Sequence, residues 1–223
     1  MSKTQADKLH ISDTTAVSTL WEIPRNATAC YVLAHGAGAG MAHPFMQSVA
    51  TALAARNIAT LRFQFPYMER GSRRPDPPKL CHATIRAAVA LARQETNLPL
   101  IAGGRSFGGR MASQAQAAEP LPTVVGLAFL GFPLHPPKAP ADERAEHLQD
   151  TTIPLLFLQG TRDELADLAL MTALAKRLGT RATLKLFDDA DHSFHVRARS
   201  GRTDAQVFEQ MMDDVAGWVD NIS

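Results

Sequence analysis

Along this chain, short apolar runs suited to buried strands alternate with stretches whose apolar residues recur at helical spacing. Ala29–Ala34 (ACYVLA) is apolar throughout, and His35-Gly-Ala-Gly-Ala-Gly40 then breaks it. From Pro44 to about Arg56 the positions Phe45, Val49 and Leu53 mark one face of a helix, and 58–65 predicts the next strand. A helix over 77–94 begins with proline, whose missing N–H costs nothing at a helix start. A strand over 98–103, a helix over 107–118 and a strand over 123–132 follow. Strand, helix, strand and helix then repeat over 153–159, 164–178, 183–187 and 204–222. Near the start, 9–11 and 16–23 read as an antiparallel pair around a polar turn.

Strands that alternate with helices predict parallel crossovers and an α/β architecture with helices on both faces of one sheet. A chain of 223 residues with 45% hydrophobic content can bury one good-sized core, so a single domain over 1–223 is expected. Two segments fall outside the rhythm. One is 66–78 (PYMERGSRRPDPP), basic and proline-rich, and the other is the polar insertion 133–152. Loops of this length are expected to rim a functional site.

Charge narrows the partners. A formal net charge of +1 with 20% charged residues carries neither a nucleic-acid footprint nor a polybasic membrane binder, which leaves a small-molecule substrate. Two cysteines, Cys30 and Cys81, are too few for a secreted disulfide framework, and the opening residues lack an apolar signal-like core. No window approaches a membrane-spanning length of apolar residues, and a cytoplasmic location is the simplest expectation. Oligomeric state is not legible in the sequence.

Within PLIAGGRSFGGR (99–110), an apolar run ends in four glycines around one serine. A plain glycine-rich turn would look like this. So would a nucleophile elbow, because Gly104-Arg-Ser-Phe-Gly108 matches G-x-S-x-G between a predicted strand and a predicted helix. A serine hydroxyl is a weak nucleophile at neutral pH and needs a base and an orienting acid, which in this motif follow in the order Ser, Asp, His. Asp163 lies just past the run 153–159, and His192 lies in a loop before the final helix. Asp163 has a competing use as a helix N-cap. Asp188, Asp189 and Asp191 are rival acids, and His195 is a rival base. Taken together, Ser106, Asp163 and His192 form the expected triad.

Acyl transfer also needs N–H donors about 3 Å from the developing oxyanion. The backbone of Phe107 is one, as the residue after the nucleophile. Ala37, in the loop His35-Gly36-Ala37-Gly38, is the other. HGAGAG lacks the pattern of a phosphate-binding loop. His192-x-x-His195 has no convincing third ligand nearby, so neither metal nor organic cofactor is expected.

Several stretches resemble the α/β-hydrolases, and in particular the small, lidless, dienelactone-hydrolase-like predicted hydrolases. They are LAHGAGAG, RFQFPYMERGSRRPDPP, GGRSFGGRM, GFPLHPP, PLLFLQGTRDEL and DADHSFH. The resemblance covers nearly the whole chain and implies a mostly parallel sheet of seven or eight strands without a large lid. It also implies Ser106 as nucleophile, Asp163 as acid and His192 as base. Dienelactone hydrolases proper use cysteine where this chain has serine, so their substrate does not transfer.

The activity expected is hydrolysis of a small ester or thioester. The same triad would also serve an acyltransferase or perhydrolase, and the fold can persist as a silent binding module. His35, Gly36 and Tyr67 are expected near the substrate. Arg73, Arg74 and Arg105, with Arg70, are the cations that would attract an anionic group.

Overall fold

The computed structural model describes residues 3–222. Eight strands form one sheet: β1 (Lys3–Ser12), β2 (Thr15–Ile23), β3 (Ala29–Ala34), β4 (Ile58–Phe63), β5 (Leu100–Arg105), β6 (Val124–Leu130), β7 (Leu155–Gly160) and β8 (Ala182–Phe187). Their order across the sheet is β1-β2-β4-β3-β5-β6-β7-β8. β2 runs antiparallel to both of its neighbours, and every pairing from β4 to β8 is parallel.

Parallel strands covered on both faces should be apolar at every position, not at alternate ones. That is what β3, β4 and β7 show, with all six residues of each buried. One face packs under α1 (Pro44–Ala54) and α6 (Asp204–Ile222), through Met46, Val49 and Leu53 of the former and Val207, Met211 and Val215 of the latter. The other face packs under α3 (Pro78–Glu95), α4 (Phe107–Ala118) and α5 (Leu168–Leu178), with Ile85, Val89, Met111 and Leu174 in its core. Burying each such side chain contributes about 1.5–3 kcal/mol.

The sequence expectations hold for the order of elements and shift at some boundaries. The helix expected from Glu164 starts at Leu168, because Asp167 Oδ1 caps it by accepting from the N–H groups of Ala169 and Leu170 at 3.0 Å each. The loop 66–78 opens with a helical turn, α2 (Pro66–Glu69). The insertion 133–152 is not simply a polar loop. Its 3-10 stretch Glu143–Asp150 buries Ala145 and Leu148, and His147 Nε2 lies 2.7 Å from Ser113 Oγ on α4, which docks the segment against that helix.

Candidate active site

At the carboxyl end of β5 the chain turns within one residue into α4, and Ser106 stands at the corner with φ 48° and ψ −114°. An L-residue pays for such a backbone in strain, so the surroundings must impose it. They do so by close packing. A Cβ at Gly104 would lie 2.0 Å from the Ala34 carbonyl oxygen on β3, and one at Gly108 would lie 2.5 Å from that of His35. The elbow therefore sits tight against β3 and the loop after it, and glycine is required at both places. Ser106 N–H donates to the Leu130 carbonyl at 3.2 Å, tying the corner to β6 as well.

From this corner a chain of hydrogen bonds runs across the carboxyl edge of the sheet. Ser106 Oγ lies 2.9 Å from His192 Nε2, and His192 Nδ1 lies 2.6 Å from Asp163 Oδ2. A carboxylate can only accept, which assigns the ring proton to Nδ1 and leaves the Nε2 lone pair facing the serine. Asp163 follows β7 and is 5% exposed. Its other oxygen accepts from Leu165 N–H at 2.8 Å, and Gln159 Nε2 donates to Oδ2. Gln159 Oε1 in turn accepts from Phe132 N–H at 2.9 Å.

The loop that carries His192 is built by Asp191, whose Oδ1 accepts from the N–H groups of Ser193 and His195 at 2.8 and 3.0 Å. Phe194 anchors it by packing on Phe187, the last residue of β8. The rival groups are committed elsewhere. His195 Nδ1 pairs with Asp204 Oδ2 at 2.7 Å, Asp189 pairs with Arg197, and Asp188 is exposed.

The remaining expected residues divide. Ala37 borders the same cleft as Ser106 and His192, in a turn closed by Ala39 N–H and the Gly36 carbonyl at 3.3 Å. Gly38, third in that turn, has φ +73°, as a type II turn requires. Phe107 is the first residue of α4, where a helix leaves its N–H groups unpaired. Its ring packs against Phe65 and Tyr67.

His35 is buried and does not face the cleft. Its Nδ1 lies 2.8 Å from the Gly36 carbonyl, and its Nε2 accepts from Phe65 N–H at 3.1 Å. Burial lowers its pKa from 6.5 to about 4. Tyr67 is fully buried, its hydroxyl accepting from Gly38 N–H at 3.3 Å, and burial raises its pKa. Both support the loop from behind.

Arg105 borders the cleft, but its guanidinium donates to the carbonyls of Leu130 and His192 and lies between the rings of Phe45 and Phe194. Burial brings its pKa down to about 10, against the pull of Asp163 and Asp191. Arg70 is paired with Asp76 at 2.5 Å. Arg73 and Arg74 are exposed and are not among the residues bordering the cleft. Nor does the cleft draw on 66–78 or 133–152 as expected. Its volume is about 420 Å³, and its walls come from 36–46, 105–106 and 192–195, with Phe45, Met46 and Ala39 supplying apolar surface.

Sequence reasoning missed Gln159, Gln64, whose Oε1 accepts from Met41 N–H at 2.8 Å at the end of the loop after β3, and the bracing use of Arg105. A lone amide closing the buried run LLFLQG was the available signal for Gln159. Among the described residues no cluster of three or more His, Cys, Asp or Glu is placed to hold a metal ion, and no helix is long and apolar enough to cross a membrane.

An alpha/beta hydrolase domain model matches residues 27–220. Solved structures share the architecture at low identity. A dienelactone hydrolase from Anabaena variabilis is 20% identical, with a TM-score of 0.76 over 99% of this chain and 98% of its own. An α/β serine hydrolase without a lid from Xanthomonas campestris is 19% identical, with a TM-score of 0.75 over 97% and 95%. An α/β serine hydrolase homologue from Coxiella burnetii is 17% identical, with a TM-score of 0.75 over 94% and 96%. With an eight-stranded, mostly parallel sheet and a family match over most of its length, this chain belongs to the α/β-hydrolases.

Proposed function

We propose that this protein is a serine hydrolase that cleaves small esters or thioesters through an acyl-enzyme. The observation that carries the reading is the unbroken relay from Ser106 Oγ to His192 at 2.9 Å and on to Asp163 at 2.6 Å. Ser106 Oγ attacks the substrate carbonyl as His192 Nε2 takes its proton, and Asp163 holds the ring and stabilises the imidazolium. Negative charge gathers on the carbonyl oxygen, where the N–H groups of Phe107 and Ala37 receive it. The tetrahedral intermediate collapses, the bond to the leaving group breaks, and His192 returns the proton to that group. Water activated by the same histidine then attacks the acyl-enzyme, releasing the acid and restoring Ser106.

A cleft of about 420 Å³ with Phe45, Met46 and Ala39 in its walls suits a short acyl chain. The test is fluorophosphonate labelling of wild type and Ser106→Ala, with turnover of p-nitrophenyl acetate and butyrate on the same samples. Labelling and turnover that vanish with Ser106 are expected. A wild type that takes no label beside a reactive control esterase would overturn the reading.

A further inference from the structure

The segment RFQFPY, residues 62–67, continues from β4 past the sheet's edge directly beneath the loop HGAGAGM, residues 35–41. It meets that loop at four points. Arg62 Nη1 donates to the Met41 carbonyl at 3.2 Å, and Gln64 Oε1 accepts from Met41 N–H at 2.8 Å. Phe65 N–H donates to His35 Nε2 at 3.1 Å, and the Tyr67 hydroxyl accepts from Gly38 N–H at 3.3 Å.

Ala37 therefore lies between two fixed points, His35 and Gly38, while Met41 secures the loop's far end from both its carbonyl and its amide. The loop needs this help. Gly38 and Gly40 have φ values of +73° and +74°, and glycines that permit such a turn also leave it soft. Ala37 and Gly38 are exposed, so packing above them does not hold the turn. The supports are rigid by contrast. Arg62 is 0% exposed and donates through Nη2 to Gln47 of α1 at 3.0 Å, and the Tyr67 ring sits against Phe65 and Phe107.

We propose that residues 62–67 form the positioning element of the oxyanion loop, with Gln64 and Tyr67 fixing the aim of the Ala37 N–H through Met41 and Gly38. The proposal rests on the reading of Ala37 as an oxyanion donor. A preorganised donor acts without reorganising as charge develops, so loosening its support weakens binding of the transition state and leaves binding of the substrate alone. Tyr67 and Gln64 thus contribute to kcat without touching substrate.

The experiment compares wild type with Tyr67→Phe, Gln64→Leu and Gln64→Glu, measuring kcat and KM on p-nitrophenyl acetate, inhibition by an alkyl boronic acid, and thermal unfolding. Tyr67→Phe keeps the ring and deletes the acceptor. Both Tyr67→Phe and Gln64→Leu should lower kcat about 10-fold at unchanged KM and weaken the tetrahedral boronate adduct by a like factor. Gln64→Glu keeps an acceptor for Met41 N–H and should stay near wild type. If Tyr67→Phe fails to fold, the Gln64 pair decides alone. The proposal is overturned if the deleting variants stay within two-fold of wild type, if KM rises in place of the fall in kcat, or if Gln64→Glu falls as far as Gln64→Leu. A wild type that turns over and labels at Ser106 while the variants match it sinks this proposal alone. A wild type that does neither sinks the hydrolase reading and this proposal with it.

Discussion

The Arg105 guanidinium donates to the backbone carbonyl of His192, so the residue before Ser106 holds the loop that carries His192. The same group reaches the Leu130 carbonyl at 2.9 Å. Arg105→Lys should lower kcat between about 10- and 100-fold, because a point charge cannot reproduce the planar fork and a displacement of the order of 1 Å at the base is that expensive. Fluorophosphonate labelling rates for the two proteins, with circular dichroism to verify the fold, check this.

Gln159 joins Asp163 to Phe132 N–H in a region that excludes water. In Gln159→Leu the Phe132 N–H loses its acceptor and Asp163 loses one donor. A stability loss of about 1–3 kcal/mol by urea unfolding is expected, together with a fall in kcat at intact KM as the acid becomes free to turn.

Two glycines should respond in opposite directions to the same substitution. Gly104→Ala puts a methyl group 2.0 Å from the Ala34 carbonyl oxygen and should abolish soluble expression. Gly217 lies inside α6 with nothing within 4 Å of its would-be Cβ. Gly217→Ala should stabilise the protein by about 0.5–1 kcal/mol, seen as a higher Tm with unchanged activity.

His35 makes stability depend on pH. Protonating Nε2 would set an N–H against the Phe65 N–H that it now accepts, and burial opposes the charge, bringing the pKa to about 4. The unfolded chain takes up this proton near pH 6.5 and the folded chain does not. The contribution is therefore complete above pH 6.5, declines as pH falls, and is gone below about pH 4. Between pH 7 and pH 5 the loss is of the order of 2 kcal/mol. Urea unfolding at the two pH values should show it in wild type and show a shallower dependence in His35→Gln. His147, also lowered to about 4 by burial and by Arg110 and His82, adds to the slope in both proteins.

The alternation of apolar runs and helical spacing made the fold legible, since strands covered on both faces have no polar alternation to blur them. That Ser106, Asp163 and His192 would come within hydrogen-bonding reach of one another was readable because motif, order and element boundaries agreed. What the sequence concealed was mostly support. His35 and Tyr67 look like substrate contacts in a string of letters, because a polar side chain near a motif carries no sign of whether it points into the cleft or beneath it. The end of β4 lies beneath the loop after β3 only because the two strands are neighbours in the sheet, a pairing that local pattern does not encode. The insertion 133–152 looked like a rim because its polar residues outnumber the apolar side chains, Leu134, Ala145 and Leu148, that dock it.

The order of strands also sets a schedule. The elbow and the loop after β3 come from adjacent central strands in the first half of the chain, whereas His192 arrives only after β8, at the far edge. The last helix is then fastened beside the first on one face of the sheet, where Arg56, just past α1, reaches Glu209 at 2.7 Å and Asp213 at 2.8 Å. A ribosome releases the N-terminal elements first. The Ser106 corner is thus shaped well before His192 can reach it, and the hydrogen-bonded chain from Ser106 to Asp163 is completed only when the final crossover closes.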